Sequence, residues 1–286
     1  MRKIGLVLST ILFGILFIVA CNDSESTNFA EGNGKVNVYL TDAPFPIDLV
    51  SQTVVTIDRV EIRKQDNDTT EASFITIMEE PFEVDLLTLS NGITEQLASI
   101  ELEAGTYDMM RMHVTDSKVI LTDGTEFDLK IPSGSSSGLK IKIEPALSIE
   151  SGQTSDVLLD FDVSKSFVAK GNWKGGKLNG FNFKPVVRCV LLDRAGRIEG
   201  MVSDTSNVAL ENSAVKLWME VNDVDDDSLL TTGFTDEMGY YQLIGIPEGT
   251  YYMTAELDSF MTDTIWNVDV LKGESTQIDF VLTPEP

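Results

Sequence analysis

From Lys35 onward the apolar positions recur with a period of two. Val36, Val38 and Leu40 alternate with Lys35, Asn37 and Tyr39; Phe127, Leu129 and Ile131 alternate with Glu126, Asp128 and Lys130; Leu139, Ile141 and Ile143 alternate with Lys140, Lys142 and Glu144. The pattern returns in Val215-Leu217-Met219-Val221, in Tyr251-Met253-Ala255-Leu257 and in Ile278-Phe280-Leu282. Such alternation predicts strands with one face in a core and the other in water. Turn pairs such as Asp123-Gly124, Asn179-Gly180 and Glu248-Gly249 separate the runs. The best helical candidate, Gly92 to Ile100 with Ile93, Leu97 and Ile100 on one face, would make only a turn or two. Antiparallel sheet packed on sheet accommodates this pattern, and the expected fold class is all-β with two antiparallel β-sandwich domains.

The boundary falls at Asp193-Arg194-Ala195-Gly196, between the apolar run ending at Leu192 and a new strand from Ile198 to Val202. It divides residues 32–192 from residues 195–284, and a chain of 286 residues is long enough for one core in each part. A local echo joins the two: Leu102-Glu103-Ala104-Gly105-Thr106-Tyr107 in the first and Ile246-Pro247-Glu248-Gly249-Thr250-Tyr251 in the second. Both read as a tight turn feeding an alternating strand.

The N-terminus follows a different logic. Arg2 and Lys3 precede an apolar run from Ile4 to Ala20, and Ile18-Val19-Ala20-Cys21 resembles a bacterial lipobox. Residues 1–20 are then a signal peptide, Cys21 the lipidated N-terminus, and residues 21–31 a polar tether. A transmembrane anchor is the alternative for a run of this length, but it leaves Cys21 unexplained. Acyl chains on Cys21 would hold the protein to a membrane. The acidic residues that follow resemble surface-export signals, so the expected location is the outer membrane with the body facing outward, the periplasmic face being the alternative.

Asp and Glu number 46 against 21 Lys and Arg, for a net charge of −25. Nucleic-acid binding rests on basic side chains neutralising phosphates, so this balance argues against that partner. Cys21 and Cys189 are the two cysteines. If lipid consumes Cys21, no intramolecular disulfide remains, and Cys189 amid Val186-Val187 and Val190-Leu191-Leu192 reads as a small buried hydrophobe.

Seven motifs in order carry a resemblance: Val38-Tyr39-Leu40-Thr41-Asp42-Ala43-Pro44, Asp85-Leu86-Leu87-Thr88-Leu89, Ala104-Gly105-Thr106-Tyr107, Ile131-Pro132-Ser133-Gly134, Gly138-Leu139-Lys140, Leu159-Asp160-Phe161-Asp162 with Lys165-Ser166, and Phe183-Lys184-Pro185-Val186. Together they resemble the exported family catalogued as domain of unknown function 4382, which implies a β-rich lipoprotein ectodomain and brings no established activity. Gly200-Met201-Val202, Thr235 to Leu243 and Ile246 to Tyr251 resemble the carboxypeptidase regulatory-like domain. That resemblance implies a transthyretin-like, or prealbumin-like, sandwich grouped with carbohydrate-binding-like folds and without catalytic residues of its own. The acidic segment Asn222 to Ser228 departs from it.

Few constellations suggest chemistry. Asp223, Asp225 and Asp227 have the one-three-five spacing of a calcium loop, but Ser228 and Phe234 stand where an EF-hand needs Gly and Glu, leaving a looser calcium site or a solvated hairpin tip. Calcium is the one cofactor the sequence raises. Asp160 and Asp162 share a sheet face, where they hold a cation, act as paired carboxylates, or pair with Lys184 or Arg188 across strands. Ser137-Gly138-Leu139-Lys140 matches Ser-x-x-Lys, yet it enters a strand that sends the two side chains to opposite faces. Ser133 and Ser135 in the loop Pro132 to Gly138 are candidates for small-ligand contact. His113 is the single histidine, which removes clustered-histidine zinc sites; a hydrogen-bonded or exposed strand histidine is the reading. Trp173, in a glycine-rich loop, is a candidate for stacking on a sugar or partner, whereas Trp218 and Trp266 are expected to pack within the second domain.

The reading that follows is a non-catalytic, membrane-anchored surface lipoprotein that binds a glycan or protein partner. An accessory or cryptic hydrolase with a carboxylate site and a structural spacer or fimbria-like subunit are the alternatives.

Overall fold

The computed structural model describes residues 32–43, 49–65, 73–131, 137–172, 177–220 and 228–286. Two sheets face one another in the first domain. One has the order Val187–Leu191, Thr154–Asp162, Asn33–Ala43, Glu95–Glu103. The other is built on Val50–Lys64 and Gly105–Leu121, long antiparallel strands that also carry Phe74–Met78, Phe82–Asp85, Glu126–Asp128 and Leu139–Ile149. Between them lie Val36, Val38, Leu40, Leu159 and Phe161 from the first sheet and Ile57, Ile62, Met110 and Met112 from the second, all fully buried.

The fold is all-β with two domains, as expected, and two details refine that reading. The stretch from Gly92 to Ile100 is no helix: Glu95–Glu103 is a strand, registered Val36↔Ile100 and Val38↔Ala98 against Asn33–Ala43. Pairing with the neighbouring strand along one edge outweighs a helical period of only two turns, and Ile93 is left 55% exposed. The sheets are also not purely antiparallel, because Asn33–Ala43 runs parallel to Thr154–Asp162. The described helices are single turns, such as Val163–Ser166, capped by Asp162, and Leu86–Leu89, capped by Asp85.

In the second domain Ala195–Asp204 lies between Tyr240–Pro247 on one side and the parallel Ser275–Gln277 and Phe280–Pro284 on the other. The opposing sheet has the order Ser228–Phe234, Ala214–Met219, Gly249–Glu256, Asp263–Val270. Val215, Leu217, Tyr241, Met253, Ala255 and Leu282 fill the space between. The sequence echo is a structural one. Tyr107 Oη donates to Glu103 O at 2.9 Å and Tyr251 Oη donates to Pro247 O at 2.8 Å, so each buried ring ties its strand to the turn four residues upstream.

A small apolar cluster of Leu158, Val190 and Ala195, flanked by Tyr39, Leu192 and Ile244, joins the domains. Gly245, with φ +66°, lets the second domain settle on it; a Cβ there would lie 2.8 Å from Leu158 Cδ2.

Candidate functional site

Asp160 and Asp162 do not converge on a common open site. Asp160 lies opposite Arg188 in the sheet register, and Arg188 Nη2 donates to its Oδ2 at 2.6 Å. Burial pushes the Asp160 carboxyl up, and the Arg188 charge opposes that without cancelling it. Asp162 is spent on a helix cap: its Oδ1 accepts from Lys165 N and Ser164 Oγ, and Lys165 Nζ lies 2.7 Å from its Oδ2. Asp42 is the buried carboxylate that the sequence reading passed over. Its Oδ1 accepts from Val163 N, its Oδ2 is buried without a partner, and burial drives its pKa well above the ordinary carboxylate range. Its signal was its place in the Thr-Asp-Ala-Pro motif. Among the described residues no group of three or more His, Cys, Asp and Glu is arranged to hold a metal ion.

His113 is 2% exposed on the outer side of its sheet. Its Nε2 lies 3.0 Å from Glu61 Oε2, and Arg59 Nη2 is 3.2 Å from its Nδ1. Arg111 joins Glu61 at 3.4 Å and lays its guanidinium 3.7 Å from the centre of the Phe74 ring. Burial raises the Glu61 carboxyl, but the His113 hydrogen bond and the charges of Arg59, His113 and Arg111 outweigh it and hold the pKa below the usual value. Gly138 closes over this group, with φ +67° and no room for a Cβ beside Arg111 Cγ and His113 Nε2. The four side chains bond mainly to one another, with Arg59 Nε and Arg111 Nε buried without a hydrogen-bond partner, and read as a polar seam of the sheet.

Trp218 and Trp266 pack within the second domain, as expected, but outside its core. Both stand on the outer face of the second domain's sheet, stacked against Tyr252 from either side: Trp218 at 6.0 Å and 5°, Trp266 at 4.5 Å and 28°. Trp218 is registered opposite Tyr252, and a bulge between Tyr251 and Met253 brings Trp266 alongside. Trp218 Nε1 donates to Thr254 Oγ1, and the Lys216–Glu256 ion pair borders the same face. Trp266 lies on the edge strand with 57% of its surface in water. The sequence held part of this: Val215 and Leu217 point inward, so Trp218 points outward. The bulge had no sequence signature.

Several candidates lie outside the described residues: Cys21 with the leader and tether, Ser133, Ser135, Trp173, and Asp223, Asp225 and Asp227. Among the described residues no helix is long and apolar enough to cross a membrane.

Residues 33–185 match the family described as Domain of unknown function (DUF4382), and residues 197–283 match the Carboxypeptidase regulatory-like domain. The first match covers more than half of the chain, and the protein belongs to that family, followed by a transthyretin-like module. No curated protein matches. Among solved structures, the shaft pilin SpaA from Lactobacillus rhamnosus GG is similar at 11% identity and TM-score 0.27, over 89% of this chain and 98% of the pilin. A candidate carbohydrate-binding protein from Pseudomonas aeruginosa matches at 19% identity and TM-score 0.23, over 32% of this chain and 91% of its own. The 3-chlorocatechol 1,2-dioxygenase of Rhodococcus opacus matches at 13% identity and TM-score 0.25, over 32% of this chain, which spans 61% of that enzyme.

Proposed function

We propose that the protein is a non-catalytic surface module, held by lipid on Cys21 at the outer membrane, that binds a glycan through its second domain. The observation that carries this reading is the Trp218–Tyr252–Trp266 ladder ending in an exposed indole on an edge strand. A Trp stacked on one face with more than half its surface in water forfeits burial energy that a ligand recovers, and the apolar C–H face of a pyranose fits a flat indole with a polar rim. Thr254, Lys216 and Glu256 supply that rim. A glycan array probed with the chain and with Trp266→Ala tests it. Selective binding that disappears in the variant supports the reading; no glycan bound, or binding unchanged by the variant, refutes it. Loss of radiolabelled palmitate incorporation in Cys21→Ser tests the anchor separately.

A further inference from the structure

A cleft of about 430 Å³ opens beside the strand Val187–Leu191, where the first domain meets the second. That strand ends its sheet and pairs with Thr154–Asp162 on one side only, so main-chain polar groups remain along its other edge. Val187, Val190 and Pro247 give the cleft apolar walls. Its charged lining is Lys142, Arg188 and Arg194 against the single acid Glu144, the reverse of a chain with 46 acidic and 21 basic residues.

Arg188 is held in place by its 2.6 Å bond to Asp160, and its other terminal nitrogen, Nη1, is buried with no acceptor. A buried charged donor left without an acceptor is costly, and an incoming anion would remove that cost. Among the described residues Lys142 is paired only with the exposed Glu144, at 3.5 Å, a contact that holds it weakly. Arg194 is exposed and makes no ion pair among the described residues. The volume lies in the range of small-molecule sites and far exceeds a bare inorganic anion.

We propose that this cleft binds a small amphipathic carboxylate, with its apolar body against Val187, Val190 and Pro247 and its carboxylate met by Arg188 Nη1, with Arg194 and Lys142 at the rim. The site is separate from the aromatic ladder, and its ligand need share nothing with a glycan. A guanidinium suits a carboxylate because its planar donors match the two oxygens.

Hydrogen exchange of the full chain in detergent, followed by mass spectrometry, reads the site directly. The probes are benzoate and 3-phenylpropanoate at about 10 mM, with benzyl alcohol and inorganic phosphate as controls. Both carboxylates should slow exchange across residues 187–191, about tenfold for a Kd near 1 mM, while the alcohol and phosphate should not. The double variant Lys142→Glu/Arg194→Glu, altered at exposed positions, should lose the effect. No slowing by either carboxylate overturns the proposal. So does equal slowing by benzyl alcohol, or by phosphate, or undiminished slowing in the double variant; the first three comparisons need no variant.

Discussion

Tyr107→Phe and Tyr251→Phe delete the same bond from two cores of different size. In each case the ring remains, and what goes is a hydroxyl donating to the carbonyl of Glu103 or Pro247. A net hydrogen bond is worth about 0.5–1.5 kcal/mol. Glu103 and Pro247 are both exposed, so water takes over the freed carbonyl and the loss stays near about 1 kcal/mol. The thermal consequence depends on the size of the unit that unfolds. One kcal/mol moves the midpoint by about 2–4 °C in a unit of 150–250 residues and by about 4–8 °C in one of 60–100. The first domain, matched over residues 33–185, falls in the larger class, and the second, matched over residues 197–283, in the smaller. Differential scanning calorimetry, with hydrogen exchange to assign each transition, should show Tyr251→Phe lowering its domain's midpoint about twice as far as Tyr107→Phe lowers its own. The reasoning fails if either variant leaves its own transition unmoved, or if it shifts the other domain more.

Leu158→Ala should remove about 2–5 kcal/mol of packing, and because Leu158 is fully buried against Gly245 the loss falls on the contact between domains; limited proteolysis at residues 192–196 should accelerate while far-UV circular dichroism stays constant. Cys189 is 9% exposed and burial pushes its thiol up to about 12, so Ellman's reagent at pH 8 should react at the rate of unfolding and not at the rate of a free thiol. Glu61 has its folded pKa below the unfolded value, so its contribution is present above the ordinary carboxylate pKa and fades as pH falls through the lowered one. Glu61→Gln should therefore lower the urea midpoint at pH 7 and differ little from the parent at pH 3, and an equal gap at both would contradict the assignment.

The period-two pattern located most strands because one face of each sheet is apolar and the other polar, as with Val36, Val38 and Leu40 at 0% exposure. It was silent at Gly92 to Ile100, where Leu97 and Ile100 have a helical spacing that a strand sends to opposite faces, and the pairing with Asn33–Ala43 decides for the strand. The aromatic ladder was half legible. Strand parity alone turns Trp218 outward, whereas Trp266 reaches Tyr252 through a register shift that depends on the neighbouring strand. Asp160 could be read as a carboxylate on a sheet face with Arg188 as one possible partner, but its depth could not, since the second domain supplies the cover.

That cover explains why the outer face of the first sheet breaks the alternation. Val157-Leu158-Leu159 and Val190-Leu191-Leu192 are unbroken apolar runs, as expected of strands buried on both faces. Leu159 turns to the core of its own domain, while Leu158 and Val190 meet Ala195 and Ile244 of the second. The polar members of that outer face must then find partners within the junction, and Asp160 has an arginine directly across the register that meets one of its two oxygens. The Asp160 Oδ2 contact occupies one end of the Arg188 guanidinium and leaves both Asp160 Oδ1 and Arg188 Nη1 buried without a partner. The unmet donor beside the cleft is thus a consequence of covering one domain with the other, and a ligand there would sense how closely the two are joined.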